Sequence, residues 1–342
     1  MNKVFFGDCR DTMRDLIAQG VKVQMCVTSP PYFGLRDYGH PGQLGLEATP
    51  AEFVAAMVEV FGLVRELLAD DGVLWLNLGD SYNAAGRTGH GTRQGFKQGT
   101  NRASDTGADN CRPSVDSLKP KDLIGIPWRV AFALQEAGWF LRQDIIWHKP
   151  NPMPESVTDR CTKAHEYLFL LSKSERYFFD ADAIKEESVT DDPRRPYGSE
   201  GAWQMDGRDT EKRPNGKPRT AGNKSHKYVE AYENSETEEH RTKAGLMKVA
   251  DVPWERRNKR SVWTVATQPY SGAHFATFPP ALIEPCILAG SRPGDTVLDC
   301  FFGSGTTGEV AGNFGRQWIG CELNPDYAPL QRARTAQAGL AL

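Results

Sequence analysis

Two short stretches carry residue types that can do chemistry. The first, DTVLDCFFGSGTTGEVA at positions 295–311, puts Gly303 and Gly305 between an apolar segment and an expected helix that starts near Thr306. Glycine lets a backbone approach a ligand with no Cβ in the way, and the start of a helix offers free N–H groups, so such a turn can cradle a nucleoside cofactor. Further on, Glu322 closes a second apolar segment, where a carboxylate can accept hydrogen bonds from ribose hydroxyls. Asp299, at the strand end before the turn, can accept from a ligand ammonium or a bound water. The second stretch is Thr28-Ser29-Pro30-Pro31-Tyr32. Two consecutive prolines fix φ twice and donate no backbone hydrogen bond, so a strand must stop there in a rigid turn. Taken alone, that turn is a stiff strand exit with Tyr32 packed on the core.

The elements that must position these turns follow from periodicity. Val23–Val27, Val73–Leu78, Phe140–Trp147, Tyr167–Leu171, Thr296–Asp299 and Trp318–Cys321 read as strands. Ala51–Leu68 carries apolar residues at helical spacing and is expected to end near Asp70-Asp71-Gly72. Further helices are expected over Ile126–Ala137, in FATFPPALIEPCILAG and from about Thr306. Positions 84–121 have no sustained period and read as a long loop. From 185 to 260 aliphatic residues thin out and basic residues outnumber acidic ones, 17 to 15, against 41 to 44 in the whole chain. That segment is a solvated insertion or a nucleic-acid-contacting region.

Composition bounds the rest. With 342 residues, 39% of them hydrophobic, the chain can bury a sizeable core. Seven scattered cysteines without a CxxC pair indicate neither a disulfide framework nor a zinc site. No apolar run is long enough to span a bilayer and the start lacks a secretory signal, which predicts a cytoplasmic protein with no membrane partner. A net charge of −3 gives no global attraction to nucleic acid, so DNA binding would rest on local clusters of Lys and Arg.

Together these stretches resemble the DNA amino-methyltransferases that use S-adenosylmethionine, and the order, Ser29-Pro30-Pro31-Tyr32 first and Phe301-Phe302-Gly303-Ser304-Gly305 last, resembles the beta class. GDCRDTM, LWLNLGDSY, IIWHKPNPMPESVTDRCTKAHEYLFLLSKS and HFATFPPALIEPCI are similar as well. The resemblance implies a Rossmann-like methyltransferase fold: a mostly parallel seven-stranded sheet with an antiparallel hairpin, helices on both faces, and an inserted target-recognition segment, with Val4–Phe6 as a seventh strand in the same sheet as Val23–Val27, Thr296–Asp299 and Trp318–Cys321. Domain boundaries are expected at 1–184 (catalytic part), 185–260 (insertion) and 261–342 (cofactor-binding part).

The same resemblance implies roles. The amino nitrogen of cytosine or adenine is delocalised into its ring, and the Ser29 hydroxyl and Pro30 carbonyl, held by Pro31, would accept its hydrogens. Tyr32 would stack on a base taken out of the duplex. Asp8 would contact the cofactor's adenine, Glu322 its ribose, and Asp299, Phe301, Gly303 and Gly305 the methionine end. Phe278 would line the pocket and Thr277 bond the methionine carboxylate. Asp8 also reads as a helix cap, and His165-Glu166 as a structural hydrogen-bonding pair rather than a metal site. His148, Lys149 and Asn151 would border the flipped-base pocket. DNA phosphates would meet Arg87, Arg93, Lys97 and Arg102 in the loop, and Arg194, Arg195, Arg213, Lys217, Arg219, Lys224 and Lys227 in the insertion.

Serine at the first motif position resembles the cytosine-N4 subgroup, and adenine-N6 transfer is the alternative. Two readings from other classes are a non-catalytic S-adenosylmethionine-binding DNA-binding protein and a nicotinamide-dependent oxidoreductase, the latter disfavoured by the missing pyrophosphate fingerprint. The expected setting is a restriction-modification, phage or orphan modification system. Expected partners are double-stranded DNA with a specific recognition sequence and a cognate restriction endonuclease, with the protein a monomer or homodimer and no metal required.

Overall fold

A computed structural model describes residues 1–35, 37, 39–83, 118–187, 256–268 and 278–336. The chain divides into two compact units, one formed by residues 1–184 with 260–342 and the other by residues 185–259.

The first unit is built on an eight-stranded sheet. In chain order its strands are β1 (Lys3–Phe6), β2 (Val23–Thr28), β3 (Leu68–Leu78), β4 (Phe140–His148), β5 (His165–Ser172), β8 (Val262–Thr264), β9 (Thr296–Asp299) and β10 (Gln317–Glu322). In space they run β1-β10-β9-β2-β3-β5-β4-β8. Only β5 runs antiparallel to its neighbours, β3 and β4. The seven expected strands are all present, and β8 adds a short eighth along β4.

Helices α1 (Cys9–Ala18), α2 (Pro50–Leu67) and α3 (Ile126–Glu136) share one apolar core, whereas α4 (Pro280–Gly290) and α5 (Thr306–Asn313) share another. Successive strand residues point to opposite faces and therefore divide between the two cores. Leu74, Leu76 and Leu78 of β3 join the first, and Val73 and Trp75 the second. Burial on both faces is why β2 between Met25 and Val27 and β5 between Tyr167 and Leu171 are apolar on successive residues. Helix α2 starts at a capping box in which Thr49 and Glu52 satisfy each other's backbone N–H, and its Phe53, Met57, Val60, Phe61, Val64 and Leu67 are buried. The last helix, α6 (Ala328–Ala336), packs against α5.

One boundary differs from expectation. Helix α2 stops at Leu67 and β3 begins at Leu68, so Asp70-Asp71-Gly72 lies inside the strand. The pairing explains it: β2 advances from Val23 to Met25 while β3 runs from Leu68 to Val73, and residues 69–72 form a bulge. A polar, glycine-bearing bulge and a helix-ending turn have the same composition.

In the second unit the described residues include a two-stranded ladder, β6 (Glu186–Glu187) with β7 (Arg256–Arg257). Arg257 Nε donates to Glu186 Oε1 at 3.1 Å.

Candidate active site

Strands β2 and β9 are parallel neighbours, with Cys26 level with Leu298. Both turns of interest therefore leave the same end of the sheet side by side, the end at which ligands bind in open α/β sheets. One bond ties them: Thr28 Oγ1 donates to Asp299 Oδ1 at 2.6 Å. Asp299 also accepts from the Phe301 N–H at 3.0 Å and from Thr307 Oγ1 at 2.6 Å. It is 1% exposed, and burial raises its pKa to about 6. Asp299 thus frames the site from within.

The glycine turn is fixed from three sides. The Phe302 N–H donates to the Cys321 carbonyl at 2.9 Å, and the Gly303 N–H to Glu322 Oε2 at 2.8 Å. From α6, Gln331 Nε2 donates to the Gly303 carbonyl at 2.7 Å and Arg334 Nη1 to Ser304 Oγ at 2.8 Å. The Phe302 ring fills a slot in which any Cβ on Gly308 or Gly320 would meet it, at 2.8 and 2.4 Å, and it stacks on Trp318. Gly303 differs: it has φ +53°, and a Cβ there would meet only the Phe301 carbonyl, at 3.9 Å. Its outer side is open. Phe301 packs against the first core, and Gly305, at φ +90°, opens α5.

Glu322 is half-buried at the end of β10 and accepts from the N–H groups of Gly303 and Asn324. Burial raises its pKa to about 7. Strand β1 pairs with β10 and the Gly7 N–H donates to the Glu322 carbonyl, so Asp8 follows a turn beside this strand end. Asp8 caps α1 through the Arg10 N–H and pairs with the Arg10 guanidinium at 2.6 Å, which holds its pKa below the usual carboxylate value. Phe278 packs against the second core. A shell of open glycine backbone with a carboxylate at its rim fits an adenosine-bearing cofactor.

At the other turn, Gly45 braces the proline pair: a Cβ there would lie 3.1 Å from Pro31 Cβ, and its carbonyl accepts from the Gly34 N–H. Tyr32 lies flat on Gly79, where a Cβ would come within 2.4 Å of the ring. Its hydroxyl donates to Glu166 Oε2 at 2.6 Å, and Asn77 Nδ2 reaches both Tyr32 Oη, at 2.8 Å, and Glu166 Oε2, at 2.9 Å. Lys149 Nζ pairs with Glu166 Oε1 and lies 4.2 Å above the Trp147 ring. Ser29 Oγ is 3.4 Å from Tyr32 Oη. Burial and the Glu166 carboxylate hold the Tyr32 hydroxyl well above the usual phenol pKa.

Of the residues read from the sequence, the structure gathers Ser29, Pro30, Pro31 and Tyr32 with Lys149 and Glu166, next to Asp299, Phe301, Gly303, Gly305 and Glu322. His148 and Asn151 instead tie down the β8 segment, through Thr264 Oγ1 and the Thr267 backbone. Thr277 and the DNA-contact candidates Arg87, Arg93, Lys97, Arg102, Arg194, Arg195, Arg213, Lys217, Arg219, Lys224 and Lys227 lie outside the described residues. Sequence reasoning missed Asn77, Gln331 and Arg334. An asparagine in the apolar run of LWLNLGD was the available signal for the first; nothing local marks the other two. Among the described residues no group of three or more His, Cys, Asp or Glu is placed to hold a metal ion, and no helix is long and apolar enough to cross a membrane.

Comparison with known proteins agrees with this geometry. The family model described as DNA methylase matches residues 23–332. The chain is 42% identical to Type II methyltransferase M.Cfr9I of Citrobacter freundii over 96% of its own length and 85% of that protein's. It is 40% identical to Type II methyltransferase M.SmaI of Serratia marcescens, over 97% and 90%. Among solved structures, the PvuII DNA methyltransferase (cytosine-N4-specific) superposes with a TM-score of 0.55 at 18% identity, covering 99% of this chain and 86% of that one. A Thermus thermophilus chain complexed with S-adenosyl-L-methionine gives 0.53 at 20% identity, covering 100% and 98%, and both share the fold. With the family model spanning most of its length and its two motif turns side by side, the chain belongs to the DNA methylase family.

Proposed function

We propose that this DNA methylase moves a methyl group from S-adenosylmethionine to the exocyclic N4 of a cytosine extruded from duplex DNA at a specific sequence, as the modification partner of a restriction endonuclease or in a phage or orphan system. The observation that carries the reading is the pairing of β2 with β9, which sets Ser29-Pro30-Pro31-Tyr32 beside Gly303 and Gly305. Glu322 would take the ribose, the Gly303–Gly305 backbone with Asp299 behind it the methionine end, and Asp8, Phe278 and Thr277 the remaining contacts. When bound, that group supplies a methyl on a sulfonium, already activated for displacement.

The chain's own residues then have two tasks. They hold the amine in line, which is a matter of proximity and alignment. They also draw its lone pair out of conjugation, with the Ser29 hydroxyl and the Pro30 carbonyl accepting its hydrogens. Phosphate contacts are assigned to the basic residues of positions 84–121 and 185–260, and base readout to the second of these stretches. Serine rather than aspartate at position 29 resembles the cytosine-N4 subgroup, and that resemblance supports cytosine.

Nucleoside mass spectrometry on DNA from a methylation-free host expressing the protein tests this. N4-methylcytosine is expected; N6-methyladenine would overturn the base, and no modified nucleoside the reaction. Replacing Arg213 and Lys217 together should flatten the salt dependence of DNA binding.

A further inference from the structure

Within the methyl-transfer reading Ser29 must present an oxygen lone pair to the amine, yet a serine hydroxyl donates as readily as it accepts. Neighbouring groups decide its direction. An ionised carboxylate only accepts, so the Tyr32 proton goes to Glu166 Oε2, 2.6 Å away. The Asn77 amide can only be oriented with Nδ2 toward this pair, because the reverse would set its oxygen against the carboxylate. Asn77 Oδ1 is thereby left buried without a hydrogen-bond partner. Tyr32 Oη has now given its proton and received one from Asn77. Toward Ser29 Oγ, at 3.4 Å, it has only a lone pair to offer. Lys149 supplies the counter-charge, both it and Glu166 having less than a fifth of the side chain exposed.

We propose that Glu166, held by Lys149, is a positioning residue that sets the hydrogen-bond polarity Ser29→Tyr32→Glu166 and so makes Ser29 an acceptor for the amine of the target base. No proton leaves the network in this arrangement, and no bond forms or breaks within it. The inference rests on the methyl-transfer reading and deepens it.

Glu166→Gln keeps the shape but offers a donor to Tyr32, which permits the opposite polarity. Steady-state methylation of duplex DNA, assayed well below the variant's thermal midpoint, should show kcat falling about tenfold to a hundredfold, as when a supporting partner of a functional group is lost. Cofactor affinity by calorimetry should be unchanged, and the midpoint should drop because Lys149 keeps its charge without the carboxylate. Tyr32→Phe removes the oxygen that receives the Ser29 proton and should lower kcat similarly. The double variant should be no worse than the more impaired single one, since both disable one device. Wild-type kcat in Glu166→Gln, or multiplicative losses in the double variant, would overturn the polarity role while active wild-type enzyme leaves the methyl-transfer reading intact. A midpoint lowered so far that unfolding accounts for the lost rate would assign Glu166 to packing. Inactive wild-type protein that still binds S-adenosylmethionine and DNA would overturn the reading, and the inference with it.

Discussion

Thr28 Oγ1 donates to Asp299 Oδ1 at 2.6 Å, across 271 positions of chain. Both groups are buried, Thr28 at the end of β2 and Asp299 at the end of β9. The two turns that follow these residues are thus held in register by side chains as well as by the sheet ladder. Burying a carboxylate is costly unless its oxygens are bonded, which makes Thr28 and Thr307 conditions for keeping Asp299 where it is.

Thr28→Val keeps the volume and removes the donor. A buried acceptor that loses its partner costs about 1–3 kcal/mol, and thermal or denaturant unfolding should report a loss of that size. Methylation should slow as the two turns lose their register. Thr28→Ser, which restores the hydroxyl, should recover most of both. A Thr28→Val protein of unchanged stability would mean that the Phe301 N–H and Thr307 suffice for Asp299.

Gly79 serves Tyr32 by having no side chain. A Cβ there would sit 2.4 Å from Tyr32 Cε2 and 2.8 Å from Cδ2, closer than atoms tolerate, so Gly79→Ala must push the ring off its seat. Tyr32 is also bonded through its hydroxyl, and the ring cannot shift without stretching the contacts to Glu166 and Asn77. Overpacking of this kind costs about 1–3 kcal/mol. Turnover should fall with S-adenosylmethionine affinity retained, because the glycine turn is untouched. Equal losses of affinity and turnover would show that the two turns respond as one body.

Much of the frame was legible, since strands buried on both faces are largely apolar and α2 announces itself through apolar residues at helical spacing, Phe53, Met57, Val60, Val64 and Leu67 among them. The glycine turn was legible because φ values of +53° and +90° at Gly303 and Gly305 leave few other residues. What the sequence concealed was partnership. Glu166 sits 134 positions from Tyr32 and Gln331 is 28 from Gly303, and only the folded sheet brings either pair together. Asp8 shows the same limit: its spacing fits a cap and a ligand contact alike, and the structure displays the cap. The bulge in β3 was hidden because Asp-Asp-Gly composition marks a turn wherever it occurs.

Gly303→Val should separate ligand binding from folding. The new side chain has open space in front of it, so its cost to the fold is the left-handed backbone, about 1–2 kcal/mol. Its cost to binding should be far larger, because it projects where the cofactor's methionine end is proposed to lie. Calorimetric titration with S-adenosylmethionine should show no measurable binding to a protein that still unfolds cooperatively. Gly320→Ala is the contrasting variant: its Cβ would strike the Phe302 ring and should lower stability first. Normal affinity in Gly303→Val would leave the turn a structural one.

Glu322 offers a test by pH. Burial raises its folded pKa from 4.5 to about 7, so the folded protein without ligand holds a proton there that the unfolded chain has released. Stability from this group is therefore fully present below about pH 4.5 and is lost as pH rises through about 7. Ribose hydroxyls donating to the carboxylate would favour its ionised form and pull the pKa back down. S-adenosylmethionine affinity should accordingly rise with pH up to about 7 and then level off, with a proton released on binding near pH 6. Titrations in buffers of different ionisation enthalpy count that proton. Asp299, with a pKa of about 6, titrates in the same window, and Glu322→Gln separates the two by removing only the Glu322 contribution. A wild-type profile that Glu322→Gln reproduces would take the ribose contact away from Glu322.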